Sequence, residues 1–328
     1  MKPVVGEEEN KPRVSALSSV LRVTLSLLLL VVLLHQFDLS RIAETLLSAN
    51  KGYLGAALGL YLVGVVICSF RWQVLLGSHN VSVPLRSLAA LYFVGNFFNN
   101  ILPGSISGDV VKMYQLSRYS DRSDVAVSTV LMDRITGFMA LFAIAAGAIP
   151  FAHELVPWQT SVLILIVAVG MWGAMWVFTR RSWWKGLRDR IGLLDRLARA
   201  EKVGEVHRAM RTYDRRVTAR ALGISLVFDA SWIVVRYLIA LALGVRLSIW
   251  YFLLFIPIIS LVTLVPISFS GLGVREGAYV YLFSQVGVEA PTAISMSLAF
   301  YGLRLVGGII GGVIYALGTR TYLGRGEE

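Results

Sequence analysis

The chain has 328 residues, 56% of them hydrophobic and only 16% charged. Soluble domains carry roughly 25% charged residues, so this chain has too few water-seeking groups to cover a soluble surface and reads as an integral membrane protein. Its formal charge of +11 requires no nucleic-acid partner, because Lys- and Arg-rich cytoplasmic loops account for it, and the single cysteine, Cys68, excludes an internal disulfide.

A spanning helix needs about 20 apolar residues. The first candidate covers residues 15–36; a cleaved leader is the competing reading, opposed by the acidic Glu7, Glu8 and Glu9 and by the lack of a small-x-small cleavage site. Further spans are expected at 52–76, 125–149, 158–179, 218–243 and 291–318. Segments 88–120 and 250–288 are apolar but broken by Pro and Gly, and each ends in charge. They read as re-entrant, broken-helix hairpins.

Positive charge orients the set. Between Arg180 and Arg220 lie thirteen Lys or Arg against five Asp or Glu, the strongest cytoplasmic signal in the chain. With that loop inside, Arg86, Lys112, Arg118 and Arg122 also fall inside, so 88–120 enters and leaves by one face. By the same logic 250–288 dips in from the opposite face. The expected architecture is an all-α multi-pass protein of the cell (inner) membrane, with about six spanning helices, two opposed hairpins and both termini cytoplasmic. Within the loop 180–216, Leu187, Ile191, Leu194 and Ala198 recur at helical spacing among arginines. That pattern fits a basic amphipathic helix on anionic inner-leaflet lipids as well as it fits a solvated connecting helix.

The run NNILPGSISGDVVKMY, Asn99 to Tyr114, is too polar for its surroundings, and its core has a twin. PGSISGDVVK (Pro103–Lys112) aligns with PISFSGLGVR (Pro266–Arg275), 163 residues later. Arg71 pairs with Arg236 at 165, and Arg134 with Arg304 at 170, each of the latter two lying three residues before a glycine. An internal duplication follows, half one covering about 15–150 and half two about 158–318. Each half has three spans and a hairpin, so the second is inverted. Inverted repeats with broken helices near the midplane are a transporter design, and paired Gly/Pro-interrupted segments point to its binding site.

Irregular backbone at membrane depth is tolerated where it is buried in protein or lines a wet cavity. The helix expected to start near Asp109 would aim its free amides and positive end at the hairpin tip, where anions bind; Asp109 as a plain helix cap competes with that role. Arg134 and Arg304 sit too deep to reach water by snorkelling, whereas for Arg71 and Arg236, nearer span ends, snorkelling and an interior position both stay open. Asp133 and Asp229 could neutralise arginines structurally. Together with Lys112 and Arg275, the two deep arginines give four cations converging on two hairpins, more than Asp109, Asp133 and Glu276 would neutralise. The candidate head-group residues are therefore Asn99, Asn100, Ser105, Ser107, Asp109, Lys112, Asp133, Arg134, Ser268, Ser270, Arg275, Glu276 and Arg304.

NNILPGSISGDVVKMYQLSR, then STVLMDRITGF and later VPISFSGLGVREGAY resemble the family of the lysylphosphatidylglycerol synthase transmembrane region, also called the flippase-like domain family. The resemblance covers nearly the whole chain, and Ser270 departs from it where a second glycine is common. It implies movement between leaflets of a phosphate-bearing lipid: a membrane phospholipid such as aminoacylated phosphatidylglycerol, or a polyprenyl-phosphate-linked lipid. In full synthases the amino-acid transfer belongs to a separate soluble domain. This chain stops shortly after its last expected span, so that activity is not expected of it. The scattered histidines show no metal-ligand spacing, no G-x-x-x-x-G-K-S/T loop is present, and no catalytic constellation stands out, so neither a cofactor nor a metal is expected. The alternatives are a membrane-embedded transferase acting on a lipid-linked sugar or phosphate, and a non-transporting accessory subunit.

Overall fold

The computed structural model describes residues 39–102, 107–152, 157–179, 208–264 and 271–317. Among them are ten α-helices and no strand. They are α1 (Leu39–Leu47), α2 (Lys51–Gly77), α3 (Leu85–Ile101), α4 (Ser107–Ser120), α5 (Ser123–Ala152), α6 (Trp158–Thr179), α7 (Arg215–Ala242), α8 (Ile249–Leu264), α9 (Val274–Ser284) and α10 (Ala290–Ala316). The protein is an all-α, multi-pass membrane protein. The helices α2, α5, α6, α7 and α10 are long and apolar enough to cross a bilayer, matching five of the expected spans to within three residues at each end. The first expected span, 15–36, and the amphipathic stretch Leu187–Ala198 lie outside the described residues.

Both expected hairpins are pairs of short helices. α3 and α4 have 17 and 14 residues, α8 and α9 have 16 and 11. At 1.5 Å per residue none reaches across about 30 Å of hydrocarbon. In the first hairpin Gly108 lies so close to Gly95 that a Cβ would strike the Gly95 carbonyl oxygen. In the second, Gly271 and Gly273 adopt φ +79° and +82°, a left-handed backbone that side chains resist, and α9 starts immediately after them.

Two packing relationships hold the hairpins between the spans. α2 and α7 run antiparallel through the centre: the Asn50 N–H donates to the Ala242 carbonyl at 2.8 Å, Tyr61 stacks on Trp232 at 5.2 Å, and Arg71 reaches Ser225 at 2.8 Å. Gly64 allows this closeness, since a Cβ there would already touch Phe228 and Trp232 at 3.5 and 3.6 Å. α3 lies antiparallel to α10, where Gly308, Gly311 and Gly312 face Asn100, Phe93 and Phe97 with no room for side chains, as membrane helices in close contact require. Around the second hairpin, Phe142 of α5, Phe252 and Phe255 of α8 and Phe283 of α9 form the largest apolar core. α6 instead exposes Leu163, Ile166, Val169 and Trp172, an apolar face suited to lipid.

The helix pairings have the symmetry expected of a duplication. Replacing α2, α3, α4 and α5 by α7, α8, α9 and α10 turns each observed pairing into another observed one: α3 packs on α10 and α8 on α5, α4 on α5 and α9 on α10, α5 on α7 and α10 on α2. The antiparallel α2–α7 pair maps onto itself, which places the pseudo-two-fold at that crossing.

Candidate functional site

The inner ends of the two hairpins and the middles of α2, α5, α7 and α10 enclose a cavity of about 310 Å³. Among the described residues it is lined by six cations (Arg71, Lys112, Arg134, Arg236, Arg275 and Arg304) and three carboxylates, Asp109, Asp133 and Asp229. The repeat explains the cations, because Arg71 with Arg236, Lys112 with Arg275 and Arg134 with Arg304 are its matched pairs. It does not explain the acids, and their distribution gives the site its polarity.

In the first half the charges are matched. Asp109 accepts Lys112 Nζ on Oδ1 at 2.7 Å and Arg134 Nε on Oδ2 at 2.5 Å. Asp133 accepts Arg71 Nε on Oδ1 at 2.6 Å and the Tyr92 hydroxyl on Oδ2 at 2.6 Å. Both acids are buried and have each oxygen engaged. Lys112 also lies 4.1 Å from the centre of the Tyr92 ring, a cation–π contact that a low-polarity site strengthens.

In the second half the match fails. Arg275 donates to Glu276 Oε1 and Ser297 Oγ, both at 2.8 Å, and Glu276 uses its other oxygen to accept the Gly273 N–H at 2.7 Å. Arg236 has a backbone acceptor, the Trp232 carbonyl at 3.0 Å, and its guanidinium lies 3.9 Å from the Phe300 ring centre. Arg304 lends its own carbonyl to Asn100 Nδ2 at 3.2 Å. Among the described residues, neither Arg236 nor Arg304 has a carboxylate within ion-pair distance. Among the described residues, the cavity cations without a carboxylate partner thus sit on the second-half wall.

Of the candidate residues, Asn99, Asp109, Lys112, Asp133, Arg134, Arg275 and Arg304 line the cavity. Asn100 packs against α10 and Glu276 is fully buried as a cap, and neither lines it. Ser107 begins α4 at the hairpin tip, also off the lining, while Ser105, Ser268 and Ser270 lie outside the described residues. The free amides expected at the helix starts are in part already occupied. Asn99 Oδ1 accepts the Gly108 N–H at 2.7 Å, and Glu276 does the same for Gly273. The side-chain cations, by contrast, face the cavity.

The sequence reading did not place Arg71, Arg236, Asp229, Tyr92 or Tyr279 in the site. The signal for the two arginines was present in their repeat spacing; at 4% and 8% exposure they point inward and do not snorkel. Among the described residues, no three His, Cys, Asp or Glu side chains cluster so as to hold a metal ion.

The model of the lysylphosphatidylglycerol synthase TM region matches residues 19–312. The chain belongs to that family. It is also similar to a UPF0104 membrane protein of Pyrococcus horikoshii, 24% identical over 320 residues, covering 88% of this chain and 95% of the relative. Two UPF0104 membrane proteins of Methanothermobacter thermautotrophicus are 25% and 26% identical, covering 81% and 84% of this chain and 86% of each relative. Family membership suggests a membrane lipid-related role for this protein.

Proposed function

We propose that this protein moves a phosphate-bearing lipid between the leaflets of the cell membrane, with both termini cytoplasmic. The observation that carries the reading is the cavity's charge: among the described residues, six cations face three acids at the meeting point of two broken-helix hairpins, and Arg236 and Arg304 have no acidic partner. Intramembrane cations are costly and mark ion or substrate pathways. A phosphate seated between the two arginines supplies the missing counter-charge, in the planar bidentate geometry that guanidinium groups favour.

Size and access support the same reading. Sites of roughly 300–1,000 Å³ hold drug-sized molecules, so the 310 Å³ cavity fits a head group while the acyl chains stay in the bilayer. The Arg134 side chain is 37% exposed and lines the cavity, so it is open to a ligand there. The substrate is a membrane phospholipid or a polyprenyl-phosphate-linked lipid, and the 180–216 loop meets anionic inner-leaflet lipids. The deciding experiment is reconstitution into vesicles with a fluorescent anionic phospholipid. Movement without covalent change supports the reading, a chemically altered lipid replaces it with a transferase, and neither result makes the protein an accessory subunit.

A further inference from the structure

Of the three carboxylates in the cavity, one breaks the pattern. Asp109 and Asp133 have both oxygens in charge-assisted hydrogen bonds. Asp229, on α7, is 5% exposed, lines the same cavity, and its Oδ2 has no hydrogen-bond partner among the described residues. A buried carboxylate oxygen without a partner is costly and rare, and asks for an explanation. Packing does not supply one, because Asp229 lacks a twin: the 165-residue spacing of Arg71 and Arg236 carries Asp229 back onto Gly64. Among the described residues, one unpartnered acid thus stands in a site of repeat-matched cations.

The charged and titratable groups around it are few. α2 presents Cys68 and Arg71, α5 presents Asp133 and Arg134, α9 presents Arg275 and Tyr279, α10 presents Arg304, and α7 itself presents Arg236 two turns along the same face. α8 contributes Ser260 and Thr263, neither titratable. Asp133 is held by Arg71 and Tyr92, arginine stays protonated, and free cysteine and tyrosine titrate on the alkaline side of neutral. Asp229 is therefore the group free to change charge when the occupancy of the cavity changes.

We infer that Asp229 exchanges a proton with head-group binding, so that one proton accompanies each phosphate into the cavity. Burial opposes the charged carboxylate and the surrounding guanidinium groups favour it, so the charge on Asp229 depends on what fills the cavity. A phosphate seated on Arg236 and Arg304 cancels their field and adds a like charge nearby, and both effects favour the protonated acid. Oδ2 then takes one proton from water and gains a hydroxyl that donates to a phosphate oxygen. Release of the head group returns the proton to water. The loaded site carries the phosphate's charge and the proton together, so a pH difference across the membrane biases the direction of movement.

This inference rests on the head-group reading of the cavity, and its test separates the two. The probe is a short-chain phosphatidylglycerol, because its phosphodiester does not titrate near neutral pH, whereas a phosphomonoester does at about 6. Calorimetric binding to the purified, detergent-solubilised protein is measured across neutral pH, together with proton uptake in weak buffer. Affinity is expected to rise as pH falls, by up to about tenfold per pH unit for one linked proton, with uptake of up to one proton per lipid. Asp229→Asn should remove both the slope and the uptake, and Asp229→Glu should keep them. A pH-independent wild-type affinity overturns the inference on its own, whether or not the variants fold, and so does an unchanged slope in Asp229→Asn. Vesicle assays with fluorescent phosphatidylglycerol report the other reading. Linked binding without lipid movement upholds the proton and removes translocation, movement with pH-independent binding does the reverse, and absence of binding at every pH removes both.

Discussion

Arg134 donates through Nε to Asp109 Oδ2 at 2.5 Å, so the third residue of α4 is fastened to the middle of α5. The same carboxylate holds Lys112 one turn further along its own helix. Asp109 thereby fixes the tip of the first hairpin against a spanning helix and keeps two of the cavity's cations in place.

Removing Asp109 should consequently cost more than removing either cation. Asp109→Asn leaves Lys112, whose side chain is 7% exposed, without its counter-charge. Breaking a buried pair from one side destabilises by on the order of 3 kcal/mol. Arg134→Gln leaves Asp109 still paired with Lys112 and removes a side chain that is 37% exposed, so its effect should be smaller. Thermal unfolding midpoints in detergent should fall in that order; an equal or reversed order would show that the carboxylate does not organise the hairpin.

Arg71 and Asp133 should behave as a structural couple. Their bond links α2 to α5, Tyr92 completes the acid, and Ser225 takes another guanidinium N–H. Arg71→Leu and Asp133→Leu should each destabilise strongly, and the double variant should cost less than their sum, since no charge is left unpaired. Additive losses in a double-mutant cycle would mean that the two side chains act independently.

The sequence was informative about this architecture for a definite reason. Spanning segments announce themselves by length and hydropathy, and α3–α4 and α8–α9 announce themselves by failing that length while carrying Pro and Gly. Pairing between distant side chains leaves no such trace. Asp133 looks like a neighbour of Arg134 in sequence, yet it bonds to Arg71 and Tyr92, 62 and 41 residues away. Asn99 lines the cavity as the sequence suggests, but its oxygen is engaged by the Gly108 N–H at the start of α4, which the sequence does not reveal. Arg71 sits near a span end, where sequence position leaves snorkelling and burial equally open; only the facing Asp133 and Ser225 draw it inward. Which helix face meets which partner is decided by tertiary packing, and the repeat spacing was the one sequence signal that reached that level.

A topological prediction follows from the hairpins. Because α3 and α4 are each too short to cross, positions near Arg86 and Arg118 should be accessible from the same side of the membrane. Single cysteines introduced there in a Cys68→Ala background should both react with a membrane-impermeant thiol reagent applied from the cytoplasmic side. Labelling from opposite sides would convert 88–120 into a true span.

His79 should make stability sensitive to mild acid. It lies in the turn between α2 and α3, buried against Tyr213, and its Nε2 has no hydrogen-bond partner among the described residues. Burial, followed by the nearby Arg122 guanidinium, holds it below the usual histidine range. The native state therefore binds this proton less readily than the unfolded chain. The contribution is fully present above about pH 6.5, the unfolded value, and is lost as pH falls below it. Midpoints measured from about pH 7 down to about pH 5 should decline, and His79→Gln should decline less over the same interval. Parallel curves would assign the acid sensitivity to other groups.

The sharpest contrast lies between Arg134 and its repeat partner Arg304. Both line the cavity, but Arg134 is tied to Asp109, whereas Arg304 has no carboxylate partner among the described residues. Arg304→Gln therefore orphans no described acid, and removes a partly buried charge whose desolvation opposes folding. Its thermal midpoint should stay level or rise. If Arg304 and Arg236 seat the phosphate, the same substitution should lower lipid movement by at least about tenfold, the loss of one charge-assisted hydrogen bond or more. Arg304→Lys should recover only part of that movement, since an ammonium keeps the charge but lacks the fork that matches a phosphate's oxygens. Arg134→Lys should be tolerated better, because a point charge still satisfies Asp109. Stability and movement measured on the same three variants give opposite rankings for a substrate-binding arginine and a scaffolding one. Full movement in Arg304→Gln would take the phosphate seat away from this residue.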